Sequence, residues 1–223
     1  MENKVFIKEI FESVQGEGPY IGVNQLFIRF SECNLHCAYC DTDFRSDLKW
    51  YSTGELCEEI SKYKNIHSIS LTGGEPLIAA DFLQGLLNRV KNKIYLETNG
   101  TLYNELQKII DCVDIISADI KLPSATLMRD LFTEHEKFID IAVKNGKEIF
   151  LKVVFDEKIT EKEIIKTCLT AEKYKLLIIL QPKMEGAALK LQSEFINKIY
   201  YRFINKYKNV RLIPQVHKFL NVR

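Results

Sequence analysis

"HSISLTGGEP", residues 67 to 76, decides the fold. An apolar run of strand length meets a glycine-rich polar turn, and the same punctuation recurs along the chain. The runs "QLFIRFSE" (25–32), "HSISLT" (67–72), "KIYLET" (93–98), "DIISADI" (114–120), "EIFLKVVF" (148–155), "LLIILQ" (176–181) and "VRLIPQ" (210–215) read as strands. Helical patterns lie between them, two opened by capping boxes, Ser52 with Glu55 and Thr160 with Glu163. "KVFIKEIF" (4–11) adds a strand ahead of the turn "QGEGPYIG" (15–22). Six strand–helix units followed by a last strand imply parallel strands with helical crossovers, either as an open doubly wound sheet or as a barrel-like one. A full eight-stranded barrel takes about 250 residues. For 223 residues we expect an α/β fold, a partial (βα)6 TIM-like barrel with an N-terminal strand extension, in a single domain over 1–223.

The polar punctuation falls at C-terminal strand ends. A cysteine cluster follows the first repeat, "TGGEP" the second, "ETNG" the third, "ADIK" the fourth and "LQP" the sixth, while "PQVH" ends the seventh. In α/β folds that edge carries ligands and catalysis, so one site is expected to collect them all. Alternation along a strand makes Ser117, Asp119 and Lys121 share a face, as do Glu97 and Asn99 on theirs. Arg29 and Lys152 are charges inside apolar strands, where an unpaired charge is costly. Both are read as facing a polar cavity, with an internal ion pair as the alternative.

A formal charge of +1 gives no strong field to draw nucleic acid or a membrane. From Leu189 to Arg223 eight Lys or Arg stand against one acid, Glu194, which we read as a solvated helix face. "MENKVFIKEI" lacks the features of a signal peptide and no apolar run approaches a membrane span, so a cytoplasmic protein is expected. In that reducing compartment six cysteines are no disulfide framework, and clustered ones bind metal more readily. Cys57, Cys112 and Cys168 read as buried structural thiols.

Cys33, Cys37 and Cys40 have the spacing C-x3-C-x2-C on a loop leaving a strand. Thiolates this close can converge on one soft metal centre. Structural zinc wants four ligands, and His36 is poorly placed to join its neighbours around one ion. A cubane iron–sulfur cluster also normally takes four cysteines. Three would leave one iron open to a substrate or cofactor.

C-x3-C-x-aromatic-C, with Tyr39 as the aromatic, followed by "TGGEP", resembles the radical S-adenosylmethionine enzymes. The resemblance implies a [4Fe-4S] cluster on Cys33, Cys37 and Cys40, and S-adenosylmethionine cleaved reductively to a 5′-deoxyadenosyl radical that takes hydrogen from substrate. Tyr39 would sit by the adenine, the backbone at Gly73 and Gly74 would approach the methionine amine, and Glu75, Ser117, Asp119, Lys121 and Gln181 would be further cofactor contacts. "SVQGEG", "CDTDF", "TGGEP", "ETNG" and "QVH" occur in the order that resembles the 7-carboxy-7-deazaguanine synthase family, over nearly the whole chain. That likeness implies a lyase converting 6-carboxy-5,6,7,8-tetrahydropterin to 7-carboxy-7-deazaguanine with loss of ammonia, on the route to 7-deazapurines such as queuosine. Gln15, Gly16 and Glu17 would meet the pterin edge, Arg29 the substrate carboxylate, Thr72 and His217 would complete the shell, and Thr42 would bind Mg2+. A homodimer and an external electron donor such as a flavodoxin are implied too. Alternative readings are a glycyl radical enzyme activase, which needs a surface for a protein substrate, and a non-enzymatic zinc or iron–sulfur module, which has no use for the other strand-end motifs.

Overall fold

The computed structural model describes residues 4–40 and 48–222. Seven strands run parallel in chain order: β2 (Asn24–Phe30), β4 (Ser68–Gly73), β5 (Ile94–Thr98), β6 (Ile115–Asp119), β7 (Glu148–Phe155), β8 (Leu177–Pro182) and β11 (Val210–Leu212). Each new strand adds beside the last. The order never reverses, as a doubly wound sheet requires, so the barrel-like reading holds. Two edges remain, β11 and β3, and the barrel is partial.

All seven expected strands are present, and both capping boxes form, on α1 (Thr53–Ser61) and on α6 (Glu161–Tyr174). The N-terminal run becomes β1 (Lys4–Val14), antiparallel to β2 on one side and to β3 (Lys49–Ser52) on the other. β3 and the hairpin β9 (Met184–Glu185) and β10 (Ala188–Leu189) were not expected. They are four and two residues long, below the span over which alternation can be read.

The crossover helices α1, α2 (Ala80–Leu87), α3 (Tyr103–Ile109), α5 (Phe132–Lys144), α6 and α7 (Ser193–Ile204) cover one face of the sheet and bury its main apolar cluster there. Cys168 lies within this cluster, and Cys57 and Cys112 pack against it. On the inner face Tyr95, Ile115, Phe150 and Ile179 form a second, small cluster. Two residues further along the same strands come Glu97, Ser117, Lys152 and Gln181, which line a cavity. Period-two alternation keeps both sets on one face. The inner face therefore has an apolar floor and a polar layer above it. Arg202 and Lys206 of the basic C-terminal stretch pair with Glu161 on the outside. No helix among the described residues is long and apolar enough to cross a membrane.

Candidate active site

The strand ends gather as expected. Cys33, Cys37, Tyr39, Cys40, Gly73, Gly74, Ser117, Asp119, Lys121 and Gln181 line one cavity of about 210 Å³, together with Glu17, Arg29, Thr72, Glu97, Lys152 and Gln215. A second recess of about 130 Å³ is lined by Gln15, Gly16, His217, Phe11 and Phe27. It shares Glu17, Arg29, Thr72, Glu97 and Gln215 with the first. One wall thus separates and serves two halves. Thr42 lies outside the described residues.

The cysteine loop leaves β2 and is held from three sides. Asn34 accepts from the Asn99 amide at 2.8 Å and donates to Thr101 at 3.0 Å, which ties it to the turn after β5. The Ala38 amide donates to the carbonyl of Thr126, at the end of α4 (Pro123–Thr126). The Glu75 amide donates to the Glu32 carbonyl at 2.6 Å. Burial pushes the Cys33 and Cys37 thiols above their ordinary range, so their thiolates need a bound cation to be favoured. Among the described residues no three His, Cys, Asp or Glu side chains meet around one metal ion. A cubane offers each thiolate a separate iron, and three cysteines lining one cavity would leave its fourth iron open to a cofactor.

Gly73 and Gly74 face the cavity, but the reason they are glycine lies behind them. A Cβ on Gly73 would stand 2.4 Å from the Phe30 carbonyl oxygen, at a φ of +111°, and one on Gly74 would stand 1.9 Å from the Glu32 carbonyl oxygen. The backbone at Phe30 and Glu32 already excludes a side chain at either position. Glu75 does not line the cavity. It is 1% exposed and turns away from the cavity: its carboxylate accepts from the Leu77 amide, the Thr98 hydroxyl and the Asn99 amide. Burial outweighs these bonds and raises its pKa to about 7. It organises the loops rather than lining the cofactor half.

In that half Lys121 sits between Asp119, at 2.9 Å, and the Tyr39 hydroxyl, at 3.2 Å. Asp119 Oδ1 and Gln181 Oε1 are buried acceptors without a partner among the described residues. A polar ligand rich in hydroxyl and amine donors, such as a nucleoside carrying an amino acid, satisfies both. S-adenosylmethionine fits this donor and acceptor set.

Around the second recess the Gln15 amide donates to Gln25 and to Glu97, both at 2.9 Å, and Thr72 donates to Glu97 at 2.7 Å. Glu17 accepts from Lys152 and from Gln215, both at 2.7 Å. Burial alone would raise the Glu17 carboxyl, yet the Lys152 ammonium and the Gln215 bond bring it down to about 2. Arg29 uses Nε on Glu9 at 2.7 Å. Both readings of the strand-interior charges therefore hold at once: Arg29 and Lys152 are ion-paired and stand in the cavity wall. Val216 donates to the Gly16 carbonyl at 2.9 Å, and a Cβ on Gly16 would fall 2.3 Å from His217 Nδ1, so the C-terminal segment is seated on the "QGEG" turn.

Glu97 and Gln215 were not among the expected site residues, and Lys152 was expected to face a polar cavity with no role assigned to it. Alternation already placed Glu97 on a strand face at the ligand edge, while nothing local distinguishes Gln215. His135, on α5, was also missed. Its Nε2 accepts from the Lys121 amide at 3.1 Å and its Nδ1 donates to the Gly100 carbonyl at 3.2 Å, which joins the turns after β5 and β6. The ring is neutral, and burial, outweighing the Asp119 charge and the Gly100 bond, holds its pKa down to about 4. A depressed folded-state pKa gives stability that is complete above the ordinary value near 6.5 and is lost as pH falls toward 4. Between pH 7 and 5 the wild type should lose about 2 kcal/mol more than His135→Gln in urea unfolding. Equal losses in the two proteins would remove this role.

The chain matches the Radical SAM superfamily over residues 27–174. It is 35% identical to the 7-carboxy-7-deazaguanine synthase of Archaeoglobus fulgidus, over 96% of this chain and 97% of that protein. Against the 7-carboxy-7-deazaguanine synthase of Geobacter sulfurreducens the identity is 34%, covering 96% of each. The fold superposes on a crystal structure of QueE from Escherichia coli with a TM-score of 0.65 at 20% identity, covering 96% of this chain and 95% of that one. That last likeness speaks for the fold.

Proposed function

Because the chain belongs to the radical S-adenosylmethionine superfamily and, within it, to the 7-carboxy-7-deazaguanine synthases, we propose that its two-part cavity binds 6-carboxy-5,6,7,8-tetrahydropterin beside S-adenosylmethionine and contracts the pterin ring with loss of ammonia. As a member it is a lyase that uses a [4Fe-4S] cluster and S-adenosylmethionine. When bound, that pair supplies the hydrogen-abstracting radical chemistry that lets the ring rearrange.

The protein's part is to hold and to orient. Cys33, Cys37 and Cys40 would carry the cluster, and Tyr39, Gly73, Gly74, Ser117, Asp119, Lys121 and Gln181 would surround the cofactor. Gln15, Glu17, Thr72 and Glu97 offer donors and acceptors to the amide and amine edge of a pterin. With Nε on Glu9, the outer nitrogens of Arg29 are, among the described residues, left for a carboxylate, which a planar fork can bind with two parallel bonds. Gly16 and His217 bring the C-terminal segment over the recess. Thr42 is assigned to Mg2+, a cation that accepts few protein oxygens and retains waters. The observation that carries the reading is the wall shared by the thiol-bearing half and the half with Arg29 and Gln15.

The family likeness also supports one domain over 1–223, a homodimer, a flavodoxin-type electron donor and a cytoplasmic setting. Protein reconstituted anaerobically with iron and sulfide should convert the pterin in the presence of S-adenosylmethionine, reductant and magnesium. Mass spectrometry is expected to find 7-carboxy-7-deazaguanine over many turnovers without matching 5′-deoxyadenosine. Deoxyadenosine with the pterin intact would keep the radical site and reject the substrate.

A further inference from the structure

Lys152 holds a charge in the middle of β7, between apolar neighbours; it lines the larger half of the cavity and meets the other half through Glu17, which lines both. Its ammonium lies 2.7 Å from Glu17 Oε2 and 3.5 Å from Asp119 Oδ2. Glu17 belongs to the "QGEG" turn and accepts from Gln215 in the C-terminal segment. Asp119 belongs to the cofactor half, where it also pairs with Lys121, and Lys121 donates to the Tyr39 hydroxyl. Gln215, Glu17, Lys152, Asp119, Lys121 and Tyr39 thus form one polar chain from the C-terminal segment to the cysteine loop.

The chain is unevenly made. At 3.5 Å the Asp119 contact is longer than a good charge-assisted hydrogen bond, and Asp119 Oδ1 is buried without a partner among the described residues. A donor arriving at Oδ1 takes up part of that carboxylate's charge and leaves the ammonium more fully to Glu17, because bonds in such a chain polarise one another. The substrate wall is firmest when the cofactor half is filled. Linkage makes the effect reciprocal.

We propose that Lys152 is a positioning residue that couples the two halves, so that S-adenosylmethionine in one raises the affinity of the other for an anionic bicyclic heterocycle. The inference rests on the assignment of the halves given above. Without the ammonium, Glu17 and Asp119 are left as like charges with no group that both bind, and the hydrogen-bonded path between the halves is broken.

The test uses the reconstituted holoenzyme without reductant, so that nothing turns over. 7-Carboxy-7-deazaguanine is titrated calorimetrically with and without saturating S-adenosylmethionine. Wild type should bind it about tenfold more tightly with the cofactor present, within the usual range of coupling between sites. Lys152→Met should bring that ratio to within about twofold of one, and Lys152→Arg should restore most of it. A purely structural role would weaken binding but leave the ratio intact. A wild-type ratio near one, or an undiminished ratio in Lys152→Met, overturns the proposal. If Lys152→Met does not fold, the charge-neutral double variant Glu17→Gln/Lys152→Met carries the same expectation. Failure of wild type to convert the pterin would reject the functional reading and this inference together. Normal conversion without coupling rejects the inference alone.

Discussion

Gly74→Ala should bind S-adenosylmethionine at least about 100-fold more weakly than wild type, a loss near the top of the range for overpacking. The added methyl would fall 1.9 Å from the Glu32 carbonyl oxygen, a backbone atom that cannot rotate aside. Relief requires the "TGGEP" turn to lift away from β2. That movement breaks the bonds from the Gly74 amide to Phe30 and from the Glu75 amide to Glu32, and these seat the turn beside the first cysteine. The injury is local, because the strands below are packed on both faces. Far-ultraviolet circular dichroism should remain that of wild type, while calorimetric titration shows the lost affinity and iron analysis shows incomplete cluster loading. Affinity within about threefold of wild type would mean the turn can flex freely, contrary to the packing described.

Arg29→Lys should reduce kcat/KM for the pterin by about 100-fold and Arg29→Met by about 1,000-fold, the scale for truncating one partner of a buried, hydrogen-bonded charge pair. Lysine keeps the charge but has one nitrogen where the fork has three. It can satisfy Glu9 or the substrate carboxylate, but not both with two bonds. Either variant should still cleave S-adenosylmethionine slowly and unproductively, since Tyr39, Asp119 and Lys121 of the cofactor half hold one another while Arg29 pairs with Glu9. Loss of pterin turnover with cofactor cleavage kept separates a small-substrate enzyme from an activase acting on a protein. Unchanged kcat/KM in Arg29→Met would remove the carboxylate assignment.

The strands and their polar ends were legible because both signals are local: seven apolar runs of strand length, and Ser52 and Thr160 each three residues before a glutamate. Strand order was legible only through chain length, which favoured the partial barrel, since the same βα repeats suit an advancing or a reversing sheet. Arg29 and Lys152 were recognised as anomalies without their partners. Glu17 and Lys152 are 135 positions apart in the chain, and no periodicity reaches that far. Gly74 was expected to be glycine for a ligand's sake; the Glu32 carbonyl in the loop after β2 demands it too, a constraint visible only once the two loops lie side by side. The setting of Glu75 was hidden for a similar reason. Its motif fixes which turn it stands in, whereas the direction of its carboxylate depends on Thr98 and Asn99, two elements away.

The inner face of the sheet separates durability from inventiveness by a single step along each strand. Tyr95, Ile115, Phe150 and Ile179 anchor the chain, and Glu97, Ser117, Lys152 and Gln181, each two positions on, meet whatever enters. Exchanging the upper set alters what the protein recognises while the lower set keeps its packing, so lineages can explore new substrates without passing through unfolded ancestors. The partition also sets a limit. An insertion of one residue within any of these strands turns anchor and reader out of the interior together, and one of two residues puts an anchor where a reader should be. Novelty on this scaffold is therefore expected to arise by substitution at strand ends and by growth of the loops beyond them.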